Sequence, residues 1–126
     1  MRAVDTNVLV RLLVRDDPAQ LVSAETFVRG GAWISHLVLM ETVWVLDSVY
    51  QVKPEQLANG VEMLLNHNEL VVQDAEVVRE ALEQYRKHSK LGFSDCLILE
   101  VARAAGHVPL GTFDRGLGKL QGTQRL

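Results

Sequence analysis

At 126 residues the chain has the size of one ordinary domain, and 48% apolar with 23% charged residues is enough to build a core inside a hydrated surface. Every long apolar stretch is cut by a charge short of the roughly 18 residues a membrane span needs, and the sequence enters Val4-Asp5 without a leader pattern, so a cytosolic protein is expected. A net charge of −3 speaks against a strongly basic nucleic-acid binder, yet two divalent cations held by four of the 16 acids would turn the total slightly positive.

No repeat, low-complexity tract or linker interrupts the chain, which reads as one folding unit over residues 1–126. Ala3-Val4 is expected as a short strand leading through Asp5-Thr6-Asn7 into a buried helix over residues 8–14. Asp17-Pro18-Ala19-Gln20 sets an acceptor, then proline at the first helical position, then glutamine two residues later, and so predicts a helix that Gly30-Gly31 ends. Ala32-Trp33-Ile34 is a second strand, with Ser35 or His36 capping a helix over residues 37–50. Pro54 opens a further helix that ends near His67, and Leu70-Val71-Val72 makes a third strand. Asp74 is expected to cap a helix with Val77, Val78, Ala81, Leu82 and Tyr85 on one face and Glu76, Arg79, Glu80 and Glu83 on the other. After a basic break over residues 86–92, a helix over residues 94–105 stops at Gly106. Residues 108–112 form the fourth strand, and Asp114 to Leu117 a turn. Strands separated by helices imply an α/β fold with a mostly parallel sheet covered on both faces, which binds ligands beyond the carboxyl ends of its strands.

Four acids resist a surface explanation. Glu41 has Leu37, Val38, Trp44 and Val45 three and four residues away on its helix, which predicts a carboxylate on an apolar face in need of a cation or donors. Asp95 has Leu91, Ile98 and Leu99 in the same relation, although Ser94-Asp95 could equally cap the helix that follows. Asp5 and Asp114 each end a strand, where a cap or turn role competes with a ligand role. By contrast Glu100 faces Arg103 and needs no more than a solvated ion pair. An oxygen-only set of four carboxylates suits Mg²⁺ or Mn²⁺, and without metal such a set should take up a proton. His36, His67, His88 and His107 lack zinc spacing, and the lone Cys96, beside Leu97, Ile98 and Leu99, reads as a core residue. Neither a phosphate-binding glycine loop nor a Gly-x-Ser-x-Gly elbow is present.

Taken together, Val4-Asp5-Thr6-Asn7-Val8-Leu9, Leu39-Met40-Glu41-Thr42-Val43-Trp44-Val45-Leu46, Gly92-Phe93-Ser94-Asp95-Cys96-Leu97-Ile98 and Thr112-Phe113-Asp114-Arg115-Gly116-Leu117 closely resemble the PIN-domain family, and within it the VapC-type toxins of bacterial toxin–antitoxin pairs. The resemblance covers nearly the whole chain. It implies a three-layer α/β/α domain with a central four- or five-stranded sheet, the fifth strand being an open question near residues 123–126. It also implies a metal-dependent endoribonuclease, usually a homodimer held inactive by a cognate antitoxin, with one or two Mg²⁺ or Mn²⁺ ions per site. By position Asp5, Glu41, Asp95 and Asp114 take the family's acidic roles, Asp5 and Asp95 foremost as ligands, and Thr6, Asn7, Ser94 and Thr112 surround them. Gly92 departs from the family, many of whose members carry a further acid there.

Backbone phosphates of RNA would be met by Arg11 and Arg15 on the first helix, by Arg86, Lys87 and Lys90 in the basic stretch that also holds His88 and Ser89, and by Arg115 and Lys119 after Asp114. The alternative for each is a solvated surface charge. Two other functions compete with the nuclease. A phosphohydrolase with Asp5 as nucleophile, resembling the haloacid dehalogenase group, would want an aspartate where Asn7 stands, and a non-catalytic interaction module would not need all four acids. A dimer interface is expected around residues 43–50 and 54–65.

Overall fold

A computed structural model describes residues 1–88 and 90–126. Ser89, part of the basic stretch singled out above, lies outside the described residues. The chain divides into two compact units, Met1–Ala75 and Glu76–Leu126. Among the described residues there are six α-helices and five strands, and every strand pair is parallel, so the fold is of the mixed α/β class.

In the first unit the order is β1 (Arg2–Ala3), α1 (Thr6–Val14), α2 (Pro18–Val28), β2 (Ala32–Ile34), α3 (His36–Ser48), α4 (Pro54–Asn66) and β3 (Leu70–Val72). The sheet runs β1-β2-β3, and two helices make each parallel crossover. Helix starts follow the local chemistry. Asp17 accepts from the Gln20 amide at 3.0 Å ahead of Pro18, and Ser35 accepts from the Val38 amide at 3.1 Å, each satisfying a donor that the first helical turn leaves open. β2 alternates a buried Ala32 and Ile34 with an exposed Trp33, and β3 repeats the pattern with Leu70, Val71 and Val72. Leu9, Val10, Ile34, Leu39, Val61 and Leu64 are fully buried and form the centre of this unit.

The second unit begins one residue into α5 (Ala75–Lys87), followed by α6 (Phe93–Ala104), β4 (Leu110–Thr112), a 3₁₀ turn at Leu117–Lys119 and β5 (Thr123–Arg125). β5 pairs with β4, so the fifth strand forms and the strands fall in two parallel sheets of three and two. Tyr85 meets Phe93 edge to face, ring centres 5.9 Å apart, over a core that includes Val78, Leu97 and Leu99.

α5 starts directly after Asp74, the residue expected to cap it, and Asp74 itself lies in the left-handed region with φ 43°. The boundaries on either side of the basic stretch depart from the sequence reading. The last turn of α5 absorbs Arg86 and Lys87, which the charge pattern assigns to a loop. Finally α6 starts at Phe93 with Gly92 as its cap, so Ser94 and Asp95 lie inside the first turn and do not cap it. Phe93 is 2% exposed, and burying its ring in the first turn favours the earlier start.

Candidate functional site

The carboxyl end of the three-stranded sheet carries the first group of expected residues. Asp5 follows β1 as the cap of α1, but its Oδ1 accepts from the Val8 amide at 3.4 Å, a long and weak contact. Most of the acceptor capacity of this exposed carboxylate is therefore left for another partner. The neighbouring Thr6 is buried, and its hydroxyl donates to Glu41 Oε1, joining the start of α1 to α3. Behind them His36 donates its amide to Gln73 Oε1 at 2.9 Å, and its Nε2 donates to the Gln73 carbonyl at 2.8 Å, which fixes the ends of β2 and β3 to each other. Asn7 is exposed on α1.

Glu41 does not sit where helical periodicity suggests. It is exposed, and so are the residues four before and three after it, Leu37 at 81% and Trp44 at 61%. Of its apolar neighbours on α3, Leu37 and Trp44 face solvent and Val38 and Val45 are half-buried, while Leu39, Thr42, Val43 and Leu46 supply the buried side. The case for Glu41 consequently rests on its bond to Thr6 and no longer on a costly burial.

In the second unit Asp95 is half-buried in the first turn of α6, and its carboxyl is pushed up from the usual aspartate range, mainly by loss of solvent and then by the negative charge of Asp114. Asp114 is held by a closed set of bonds: its amide donates to Thr112 Oγ1 at 3.0 Å, and its Oδ1 accepts from the Leu117 amide at 2.7 Å. The turn role considered for Asp114 is thus real, and it holds the carboxylate in place. Ser94 is half-buried beside Asp95.

Gly116 escapes a reading of the sequence. A Cβ there would fall 2.7 Å from Leu91 Cδ2 and 3.3 Å from Asp114 Oδ1, so a side chain at this turn would have to displace the end of Leu91 and crowd the Asp114 carboxylate. The signal available is a glycine two residues after an aspartate in Asp-Arg-Gly. Cys96 is buried, with its thiol pushed up to about 11 by burial and then by Asp95 and Glu100, which suits an inert core residue.

Among the described residues no three His, Cys, Asp or Glu side chains are grouped so that they could hold one ion. What the side chains present is a half-buried Asp95, raised by burial and then by the charge of Asp114, in one unit, and Asp5 next to the Thr6–Glu41 bond in the other. Oxygen donors of this kind fit a hard divalent cation, and a cation is what would relieve the repulsion at Asp95. A family model for the PIN domain matches residues 2–122. The chain belongs to the PIN domain family. PIN domains are in general metal-dependent nucleases that act on nucleic acids. No curated protein and no solved structure matches this PIN domain. No helix among the described residues is long and apolar enough to cross a membrane.

The basic residues divide by what they touch. Arg11 is committed to Gln20, to Asp16 at 3.2 Å and to the Tyr50 hydroxyl at 3.3 Å, so it is not the free phosphate contact expected of it. Arg15 reaches Glu25 at 3.7 Å, and Lys87 reaches Glu83 at 3.3 Å; both pairs are largely exposed and weak. Arg86, Lys90, Arg115 and Lys119 are exposed on the second unit.

Proposed function

We propose that residues 1–126 act as one metal-dependent endoribonuclease domain that hydrolyses RNA phosphodiester bonds at a site made by Asp5, Glu41, Asp95 and Asp114. Family membership supplies the reaction class, and the observation that supports the Asp95–Asp114 part of the site is the half-buried Asp95 carboxyl, pushed up by burial and then by the charge of Asp114, which a cation would offset. Asp5 and Asp95 are the proposed direct ligands, with Asp114 a ligand directly or through water. When bound, Mg²⁺ or Mn²⁺ would lower the pKa of a water and offset charge on the attacked phosphate.

The chain's own side chains have distinct tasks in this proposal. Thr6 donates to Glu41 and fixes its rotamer, so the second carboxylate oxygen can accept a proton from the attacking water. Thr112 holds the Asp114 amide and keeps that carboxylate in place. Thr112→Val keeps the shape and removes the acceptor. We expect it to raise the Mg²⁺ concentration for half-maximal cleavage about tenfold while barely changing the maximal rate, as measured by metal titration of cleavage.

We also propose that the protein is the toxin of a toxin–antitoxin pair and forms a homodimer. Support comes from apolar side chains left on the surface of α3 and α4 and just after α3, namely Leu37, Trp44, Val49 and Met63; Val43, Leu46, Leu57 and Leu64, which belong to the segments expected to form the interface, are buried and unavailable. Asn7 stands where an aspartate-nucleophile phosphohydrolase would need its second acid, which leaves that reaction without its proton donor.

The nuclease assignment is tested with purified protein and RNA. Cleavage is expected with Mg²⁺ or Mn²⁺, to stop in excess EDTA, and to be lost in Asp5→Asn with an unchanged circular dichroism spectrum. Undiminished cleavage by that variant, or in EDTA, would overturn the mechanism.

A further inference from the structure

A cavity of about 410 Å³ lies in the second unit beside the turn that carries Asp114. Lys87, His88, Lys90 and Lys119 line it, and no Asp or Glu is among its described lining residues. Four nitrogen-bearing side chains from the end of α5, the segment after it and the 3₁₀ turn thus converge on one hollow in a chain whose net charge is negative. Such a concentration of donors runs against the overall charge and is the kind of surface to which an anion is drawn. Lys87 would give up its exposed pair with Glu83 at little cost.

The remaining wall identifies the anion more closely. Leu91 and Leu120 give the cavity apolar surface, which a free phosphate would not use but a ribose or base would. Gly116 lines the cavity too, and the space where its Cβ would be lies 3.3 Å from Asp114 Oδ1. Gly116 thus borders the hollow and lies close to a carboxylate of the proposed metal site, two residues before it in the same turn. Its volume is in the range that holds a small ligand of nucleotide size.

We propose that this cavity docks one nucleotide of single-stranded RNA flanking the bond that is cut, its phosphate facing the lysines and His88 and its sugar or base lying on Leu91 and Leu120. The proposal rests on the ribonuclease function and names where its substrate strand is held. Lysine ammonium groups act as point charges on phosphate, so the cavity adds affinity without reading a sequence.

Binding in EDTA separates docking from cleavage. A fluorescein-labelled single-stranded RNA decamer would be titrated with the whole protein in EDTA between 50 and 200 mM salt, by anisotropy, using the Lys90→Ala/Lys119→Ala variant and, as a control at a lysine that does not line the cavity, Lys53→Ala. The double variant is expected to bind about tenfold more weakly at 100 mM salt, with a log–log salt slope shallower by about 1.4, or about 0.7 for each phosphate that is no longer neutralised. Lys53→Ala should match the wild type in both. Lys90→Gln/Lys119→Gln, which keeps side-chain length, should reproduce the weaker binding, and matching melting temperatures exclude a folding defect. Wild-type affinity and slope in the double variants would overturn the proposal even if the protein cleaves RNA. Failure of the wild type to bind the decamer, or stronger competition by a polyglutamate peptide than by unlabelled RNA, would overturn it as well. Lysine-dependent binding by a protein that cleaves nothing with Mg²⁺ would uphold the docking site and refute the nuclease.

Discussion

Asp95→Asn is expected to abolish RNA cleavage at saturating Mg²⁺, by roughly 10³-fold or more, and yet to raise the melting temperature of the metal-free protein. The loss follows from removing a proposed ligand, since several kcal/mol of charge stabilisation at the reacting phosphate corresponds to that factor. The gain in stability follows from the state of the carboxyl. Burial, and after it the charge of Asp114, holds the Asp95 carboxyl above the usual aspartate range, so the folded chain binds this proton more tightly than the unfolded chain does. The contribution of Asp95 to stability is fully present below the ordinary aspartate value and is lost as pH rises through the raised folded-state value. At neutral pH the ionised carboxylate is a liability that asparagine does not carry. Metal reverses the sign, because the ion needs the ionised form; Mg²⁺ affinity should fall as pH drops through the same window. Thermal melts from pH 4 to 8, in EDTA and in Mg²⁺, check both halves. A variant that melts lower than the wild type in EDTA at neutral pH, or that keeps the wild-type pH dependence, would refute this account of Asp95.

The same residues show what a sequence can and cannot disclose. Strands β2 and β3 and the start of α2 are legible to the residue, because short apolar runs and an Asp-Pro pair act locally and need no knowledge of neighbours. Glu41 is misplaced by its sequence pattern because a helical period says which residues share a face and not whether anything covers it; Leu37 and Trp44 lie beside it in solvent. Glu100 is misplaced in the opposite direction. Its spacing from Arg103 correctly predicts the pair, but the carboxylate is only 5% exposed. The basic stretch is visible as charge, whereas the commitment of Arg11 to Asp16, Gln20 and Tyr50 depends on partners up to 39 positions away. Gly116 is silent for a related reason. Its importance is the absence of a side chain from a space shared with Leu91 and Asp114, which only the folded turn defines.

Arg103→Ala should be among the most destabilising single substitutions in the second unit, costing about 2–4 kcal/mol, whereas Glu100→Gln should cost less. The Arg103 Nε donates to Glu100 Oε1 at 3.1 Å, and its Nη2 donates to the Gln121 carbonyl at 2.7 Å. Removing the guanidinium leaves a buried carboxylate without its counter-charge, an effect of about 3–5 kcal/mol for fully buried pairs and smaller here because Arg103 is partly exposed. Glutamine keeps the shape and removes the charge that needs compensation. The loss would also spread. Arg103 packs so closely on Gly122 that a Cβ there would come 2.8 Å from the guanidinium, and Gly122 has φ +92°, so the turn before β5 is built around this side chain. The Gly122 carbonyl accepts from Leu110, and the Thr112 carbonyl accepts from Leu126, which aligns β4 with β5 up to the residue that holds the Asp114 amide. Loosening the tail should therefore weaken metal binding at Asp114 although Arg103 touches no ligand. In Arg103→Ala the expected result is a melting temperature lower by roughly 10 °C, together with a raised Mg²⁺ requirement at temperatures where the protein is still folded. Arg103→Lys, which restores the charge but not the two-pronged geometry, should recover part of the stability and little of the Mg²⁺ affinity. If Arg103→Ala melts within a degree or two of the wild type, the buried pair does not hold the tail, and the link from α6 to Asp114 fails with it.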